Sequence, residues 1–463
     1  MGEVVVIKKV LGSFLLVLLL FPAVVLGETV VDLGANHVAE DAGMVSLDEV
    51  SVNESVKWAL ASSPRLKILQ KNRDALAHEL RQAKGYRLPS LNLTSSYGMD
   101  EHSDLDTRRL GADPADNEWE ERGEVALVLR QLLYDGGDVS SRVAIQQAKL
   151  DSGEYRVKDN AESIALDAVI AHLAVYRQTK LMTLAENNIR DHEKMLAHLI
   201  QRQKGGAGSS ADVTQVQGRL SRARATMYAI QADLAASSAN YERVVGRLPG
   251  NLQFAKTPEA TPVNLEDALA LTRKGNPKIL AFGVDVAELE SRYKLARSPY
   301  SPQFFLEVSK SYQHQVAGDP SWQDNNAAMV KMNWNLYNGG TDVAGREAAL
   351  SRVQQGVETL QNEILYVVED TQGTWAQYKA VIEKKTMYTD AIAYNKTTLD
   401  AYMKQFTLSQ RSLLDVLDAE NELFQSAGLL VTEQVNELIA AGRILALQGA
   451  LVETVFPPAV FTE

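Results

Sequence analysis

Leu133-Tyr134-Asp135-Gly136-Gly137 returns 203 positions later as Leu336-Tyr337-Asn338-Gly339-Gly340. The same spacing links Ala211-Asp212-Val213 to Leu414-Asp415-Val416. Upstream, the pairs Ser63-Pro64 and Asn276-Pro277, and the later prolines Pro89 and Pro302, are offset by 213 positions instead. One 10-residue difference between the halves therefore lies between the second proline and the glycine pair. Leu47-Asp48-Glu49 and Leu265-Glu266-Asp267 each open a short helical run that ends at the polar-proline pair. A unit of about 210 residues written twice makes each half one half of a single structure.

Each unit reads as helix, strand, strand, long helix, long helix. In the first repeat, residues 46–249, the pattern predicts strands near 89–99 and 122–134 and helices near 138–203 and 210–246. In the second, residues 265–455, it predicts strands near 302–314 and 326–337 and helices near 341–405 and 412–455. Residues 250–264 link the repeats, and 456–463 form a tail.

The strand candidates alternate. Val125, Leu127 and Leu129 share one face; so do Phe304, Leu306, Val308 and Tyr312, opposite Glu307, Ser309 and Ser311. In the last strand Ala328, Val330, Met332, Trp334 and Leu336 lie opposite Lys331, Asn333 and Asn335. Alternation over about 10 residues is the signature of a membrane-barrel strand, and equally of an edge strand on a soluble core. The polar inserts Asp100 to Glu121 and Val316 to Asn325 are expected to be loops at the outer end. Gly136, Gly137, Gly339 and Gly340 supply the positive φ that a sharp strand-to-helix turn needs, and the preceding Tyr suits a lipid interface.

No proline interrupts Asp138 to Gln203 or Thr341 to Gln405. At 1.5 Å per residue each helix spans roughly 100 Å, which a coiled coil or tube requires and a globular core does not. Leu350, Val353, Val357, Leu360, Ile364 and Val367 recur at gaps of three and four. The register continues through Tyr378, Val381, Tyr388, Ile392, Leu399, Tyr402 and Phe406, with Thr371, Thr374, Lys385 and Asn395 as softer members. A period near 3.5 over many turns implies supercoiling. The first repeat carries a fainter version at Val157, Ala161, Ile164, Ala168, Ala171 and Val175.

Residues 1–27 stand apart: Lys8 and Lys9, an apolar run from Val10 to Leu26, then Gly27. They read as a secretory signal peptide, with a retained anchor as the alternative, followed by a flexible segment over 28–45. No later stretch is continuously apolar over the roughly 18 residues of a membrane helix. Cysteine is absent, which excludes disulfides, thiolate chemistry and a lipidated N-terminal Cys. The net charge of −12, with no basic stripe to neutralise phosphates, argues against a nucleic-acid partner. An exported acidic chain of this kind can still enter a membrane as a β-barrel. Four strands per chain are too few to close one, since about eight are needed, so the chain must assemble cyclically. Three copies would supply twelve strands.

Duplicated strand pairs, each ending in Leu-Tyr-Asp/Asn-Gly-Gly and followed by a long helical hairpin, resemble the TolC-like outer-membrane efflux proteins. The likeness runs from about Leu47 to Val455, and Gln410-Arg411-Ser412-Leu413-Leu414-Asp415-Val416-Leu417-Asp418-Ala419 is similar to the family's periplasmic-gate segment. The resemblance implies a mainly α protomer with a transmembrane β portion. It further implies a homotrimer with a twelve-stranded barrel in outer-membrane lipid above an α-helical periplasmic tunnel. It implies partners too: a periplasmic adaptor and an inner-membrane ABC or other pump. The hairpin tips, Gln201 to Asp212 and Gln405 to Asp415, would meet the adaptor.

By the same resemblance Asp415 and Asp418, three apart on one helical face, would ring the periplasmic end with carboxylates that favour cations. Asp415 also fits a helix cap through Ser412-x-x-Asp415, which Ser209-x-x-Asp212 repeats. Arg411 would be the gate arginine, with Asp212 and Phe406 where its latch partners lie; the alternative is a solvated surface arginine. Phe406 departs from the tyrosine of the best-known family member, so that hydroxyl bond would be absent here; the alternative is that Phe406 is heptad core. No catalytic pattern is present: His192-Glu193 and His198 are spaced wrongly for the H-E-x-x-H zinc motif, and the glycine clusters lack a phosphate-loop Lys. No cofactor or metal is implied. The reading is a conduit rather than an enzyme or a soluble coiled coil. The expected cargo is secreted protein, with drug or metal efflux as the alternative.

Overall fold

The computed structural model describes residues 49–101, 119–205, 209–316, 319–408, 410–454 and 456–457. The signal peptide, the segment 28–45, most of the insert Asp100 to Glu121 and most of the tail lie outside the described residues.

In chain order the first repeat holds β1 (Glu49–Val50), α1 (Val52–Ser62), α2 (Pro64–Gly85), β2 (Ser90–Asp100), β3 (Glu120–Tyr134), α3 (Asp138–Lys204) and α4 (Ser210–Val245). The second holds β4 (Asn251–Leu252), α5 (Leu265–Gly275), α6 (Pro277–Ala296), β5 (Gln303–Val316), β6 (Asp319–Asn333), α7 (Thr341–Thr407) and α8 (Leu413–Leu447). The protomer is mainly helical. Among the described residues no helix is long and apolar enough to cross a membrane.

Several boundaries differ from those expected. The first helical run starts at Val52, not Leu47, because Ser51 and Glu54 form a reciprocal capping box there. Glu49–Val50 instead pairs in parallel with Asn251–Leu252, which puts a strand in the expected linker. Each polar-proline pair ends one helix and starts another. Ser63 and Asn276 are N-caps, and Pro64 and Pro277 occupy the first helical turn, where a missing N–H costs nothing.

The last strand stops at Asn333, leaving Trp334 and Leu336 outside it. Its final partner is Gln303, and the next position on β5 is Pro302, which has no N–H to donate. At the other end the expected loop Val316 to Asn325 is mostly strand, because β6 begins at Asp319. Its polar residues pair across the hairpin, Asp324 with Tyr312 and Gln323 with Gln313. The last helix ends at Leu447 rather than 455. Gly449 turns the chain at φ 68°, and Leu451 and Phe456 then enter the core at 1% and 2% exposure.

The short helices stack end to end on the return helices. Ser62 Oγ donates to the Val245 carbonyl at 3.1 Å, seating α2 on α4. Asn276 Nδ2 donates to the Leu447 carbonyl at 2.8 Å, seating α6 on α8. Both joints close on a positive-φ glycine, Gly246 and Gly449, 203 positions apart. Four columns result, in the order α2/α4, α3, α6/α8, α7. α1 and α5 lie against this row at mid-length, α1 on α3 and α4, α5 on α7 and α8. The largest core gathers there, around Val169, Leu173, Tyr241, Val245, Leu445 and Leu451.

Candidate functional site

Above the columns the four long strands form one antiparallel sheet in the order β2-β3-β5-β6, with β2 and β6 as unpaired edges. Registry puts Leu91, Leu129, Val308 and Ala328 in one row; Leu306 sits beside Val330 and Phe304 beside Met332. These rows fall on a single face that is largely open, Leu93 at 62% and Val330 at 64% exposure, and Lys310, ion-paired with Asp324, and Asn326 interrupt it toward the far end. The other face carries Asn92, Ser96, Glu124, Ser309 and Gln313. There Lys331 pairs with Glu307, and the Arg130 guanidinium lies 3.8 Å over the Phe305 ring. A sheet with one mostly apolar, exposed face and one mostly polar face matches a wall between lipid and water.

At the strand-to-helix turns Gly136 and Gly137 have φ of 65° and 89°, and Gly339 and Gly340 have 59° and 82°. Gly136 is fixed by crowding as well: a Cβ there would meet Ser301 Cβ at 2.4 Å. Asp135 then caps α3 by accepting from the Gly137 and Val139 amides at 2.9 and 2.7 Å.

The opposite end of the columns is where the two hairpins converge. Met195 and Leu199 of α3, Val216 of α4, and Leu413, Val416 and Leu417 of α8 bury one another, with Leu399, Tyr402 and Phe406 against them. Phe406 belongs to this cluster and lies 5.2 Å from the Arg202 guanidinium. The Arg411 guanidinium sits 3.9 Å over the Tyr402 ring, and its Nε is 3.2 Å from Asp415 Oδ2. That Nε is buried and makes no hydrogen bond, so the contact is an ion pair of poor directionality. Asp415 is held three ways: by Arg411, by the Ser412 hydroxyl at 3.0 Å, and through its own amide, which donates to Ser412 Oγ at 3.2 Å. The capping role read for Ser412 and Asp415 is thus satisfied in the same residues.

Asp418 is not a free carboxylate. Arg219 Nη2 of α4 donates to its Oδ1 at 2.7 Å, tying the first hairpin to the second. Nothing in the sequence pointed to Arg219: the duplication aligns it with Glu422, and an ion pair 199 positions apart leaves no periodic trace. Asp212 lies half-buried in the first turn of α4, while Arg411 is engaged within its own hairpin. Ser209 accepts from the Ala211 amide rather than from Asp212, so the first hairpin lacks the cap that Ser412 gives the Asp415 amide in the second. Higher on the same helices His192 Nδ1 is 3.3 Å from Glu420 Oε2, both nearly buried.

A row of helical columns carrying a two-faced, open-edged sheet is the arrangement of a membrane-conduit subunit. Residues 56–247 and 268–450 match the family model described as outer membrane efflux protein, and the chain belongs to that family. The outer membrane efflux protein BepC of Brucella suis is 26% identical over 345 residues, covering 74% of this chain and 75% of that protein. The alkaline protease secretion protein AprF of Pseudomonas aeruginosa is 22% identical over 340 residues, covering 71% and 69%. The crystal structure of the outer membrane protein VceC from Vibrio cholerae superposes with a TM-score of 0.73 at 18% identity, covering 86% of this chain and 96% of that one. The resemblance to TolC-like efflux proteins therefore holds, and the protein is an outer-membrane protein extending into the periplasm.

Proposed function

We propose that three copies assemble into a channel-tunnel that carries cargo from an inner-membrane transporter and its periplasmic adaptor across the outer membrane. The observation that carries this reading is the sheet with two free edges and two unlike faces. A four-stranded sheet cannot close on itself, whereas twelve strands can, with β6 of one copy beside β2 of the next. Four columns per protomer would continue the barrel as a twelve-column tube. The glycine turns at 136–137 and 339–340 connect the two parts.

The convergent tips are the closed end in this reading. Asp415 and Asp418 supply the carboxylate ring and Arg411 braces it through Asp415 and Tyr402. Asp212 lies at the start of the facing hairpin. Contact of an adaptor with the tips, 201–212 and 405–415, would separate the hairpins. Of the two cargo classes, secreted protein is favoured by the relative named for alkaline protease secretion.

Planar-bilayer recording tests the conduit. Wild-type protein should give small, cation-preferring currents, Arg411→Ser larger ones, and Asp415→Ala with Asp418→Ala a reduced cation preference. Unchanged conductance and selectivity in both variants would remove the gate assignment. Comparing the secreted proteins of cells with and without the gene tests the cargo: loss of one or a few large proteins supports type I secretion, and an unchanged secretome moves the cargo to small molecules.

A further inference from the structure

A cavity of about 450 Å³ lies where the strands meet the helices, between the start of α3, the end of α6 and the start of α7. Lys294, Arg297 and Arg346 converge on it, with Tyr300, Ser141 and Ser301, and no carboxylate lines it. Among the described residues none of the three cations is in an ion pair. Carboxylates of the adjoining turns have other partners: Asp138 pairs with Arg142 at 2.5 Å and accepts from the Ser298 hydroxyl at 3.3 Å, Asp135 accepts from the α3 amides, and Asp342 accepts from Asn338 Nδ2 at 3.4 Å. Three cations gathered without counter-charge repel one another, so a bound anion relieves the arrangement. Arg346 also lies 5.9 Å from the Tyr300 ring centroid, keeping a flat apolar wall beside the charges.

The level of the cavity selects the anion. Gly136 and Gly137 follow Tyr134 directly, and Tyr300 and Ser301 shortly precede Phe304. The Tyr134 and Phe304 rings, 6.3 Å apart, begin the apolar face of the sheet. Tyr86, Trp334 and Tyr337 are exposed around the same rim. Aromatic side chains in such a band mark the depth of lipid headgroups, and cations just beyond it meet lipid phosphates.

We propose that this cavity binds the phosphate of an anionic phospholipid in the periplasmic leaflet of the outer membrane. The site rests on the barrel reading, because only that reading sets the rim at the headgroups. Lys294, Arg297 and Arg346 take the phosphate oxygens; Tyr300 and the two serines contact the glycerol region. All three helices belong to one protomer, so each copy would hold one lipid at the joint between barrel and tunnel.

The test uses purified full-length protein in detergent, titrated with dihexanoyl-phosphatidylglycerol, dihexanoyl-phosphatidylcholine or inorganic phosphate and followed by calorimetry. Phosphatidylglycerol should bind saturably, one per protomer, and more tightly than phosphatidylcholine. Binding should weaken at least about tenfold in the variant Lys294→Gln, Arg297→Gln, Arg346→Gln, given roughly 1 kcal/mol per cation at a lipid surface. If the triple variant fails to fold, the three single variants should each weaken binding. Equal affinity of wild type and variants for phosphatidylglycerol overturns the site, and inorganic phosphate binding as tightly as the lipid overturns the lipid as its ligand. Bilayer recording of the same wild-type sample separates the two readings: channels without lipid binding sink only this site, and no channels sink the barrel.

Discussion

Acidification should loosen the mid-length core through one histidine. His172 is fully buried; its Nε2–H donates to the Gln253 carbonyl at 2.8 Å. Its Nδ1 must then accept from the Ser55 hydroxyl at 2.8 Å, and Ser55 Oγ lies 2.9 Å from the Tyr241 hydroxyl. Burial pushes the His172 pKa from 6.5 down to about 4, against weaker opposing pulls from the Gln253 carbonyl and Glu54. The unfolded chain takes up this proton below 6.5, and the folded chain does not until about 4. Stability from this residue is therefore present above pH 6.5 and is lost as pH falls toward 4, by about 3 kcal/mol. Glu162 slopes the other way. Burial raises its pKa from 4.5 to about 7 despite amide bonds from Leu451 and Val452, so its contribution falls as pH rises between those values. The wild-type profile sums both, so His172 is isolated by comparison with His172→Gln, which keeps a donor and an acceptor but does not titrate. Denaturant unfolding of the detergent-solubilised protein at pH 7.5 and pH 4, read by the fluorescence of Trp58 beside this core, measures the difference. Wild type should lose about 3 kcal/mol more than the variant between the two values. Parallel losses in the two proteins would refute the assignment.

Glu162→Gln keeps a carbonyl for the Leu451 and Val452 amides and removes a buried charge, so unfolding at pH 8 should show a gain of up to about 3 kcal/mol; no gain contradicts the burial cost. Arg219→Ala frees the Asp418 carboxylate at the tip. The pair is partly exposed and worth less than about 1 kcal/mol, so stability should barely move while cation preference in bilayers rises; an unchanged reversal potential would count against a role for Asp418 in selectivity. Gly449→Ala puts a Cβ 2.7 Å from the Gly275 carbonyl oxygen in a backbone at φ 68°, and should cost about 1 to 3 kcal/mol by unseating α6 from α8. A midpoint of unfolding equal to wild type would show that the joint adds nothing.

The parts of this fold that were legible are those written as a period. Alternation placed Leu127, Leu129, Leu306, Val308, Val330 and Met332 on one face because registry in a sheet carries a side-chain row intact from strand to strand. Duplication located both glycine turns and, through Ser63-Pro64 and Asn276-Pro277, both column joints, although the second helix that each proline starts was not anticipated. What escaped has no period: the Arg219–Asp418 pair, the shift of the Ser209 cap to Ala211, and the ends of β6 and α8, which are set by a proline just before a neighbouring strand and a glycine against a neighbouring helix.

The heptad of α7 divides at mid-length, and the division is informative. Below it Val367, Thr371, Thr374, Tyr378 and Val381 are all buried, facing α8 and α5. Above it Val353, Leu360 and Ile364 are half-buried while Leu350 and Val357, in the same register, are 43% and 40% exposed, and α7 meets α6 at Gly356, where a Cβ would lie 2.5 Å from Leu289 Cδ1. Leu365 and Tyr366, outside that register, are more open still, at 67% and 60%. A chain rarely maintains an apolar register over so many turns on a face that stays in water. α7 is an end column of the protomer, and so is α2/α4 at the other side of the row. In the proposed trimer the exposed members of the register, Leu350 and Val357, would meet the α2 column of the next copy.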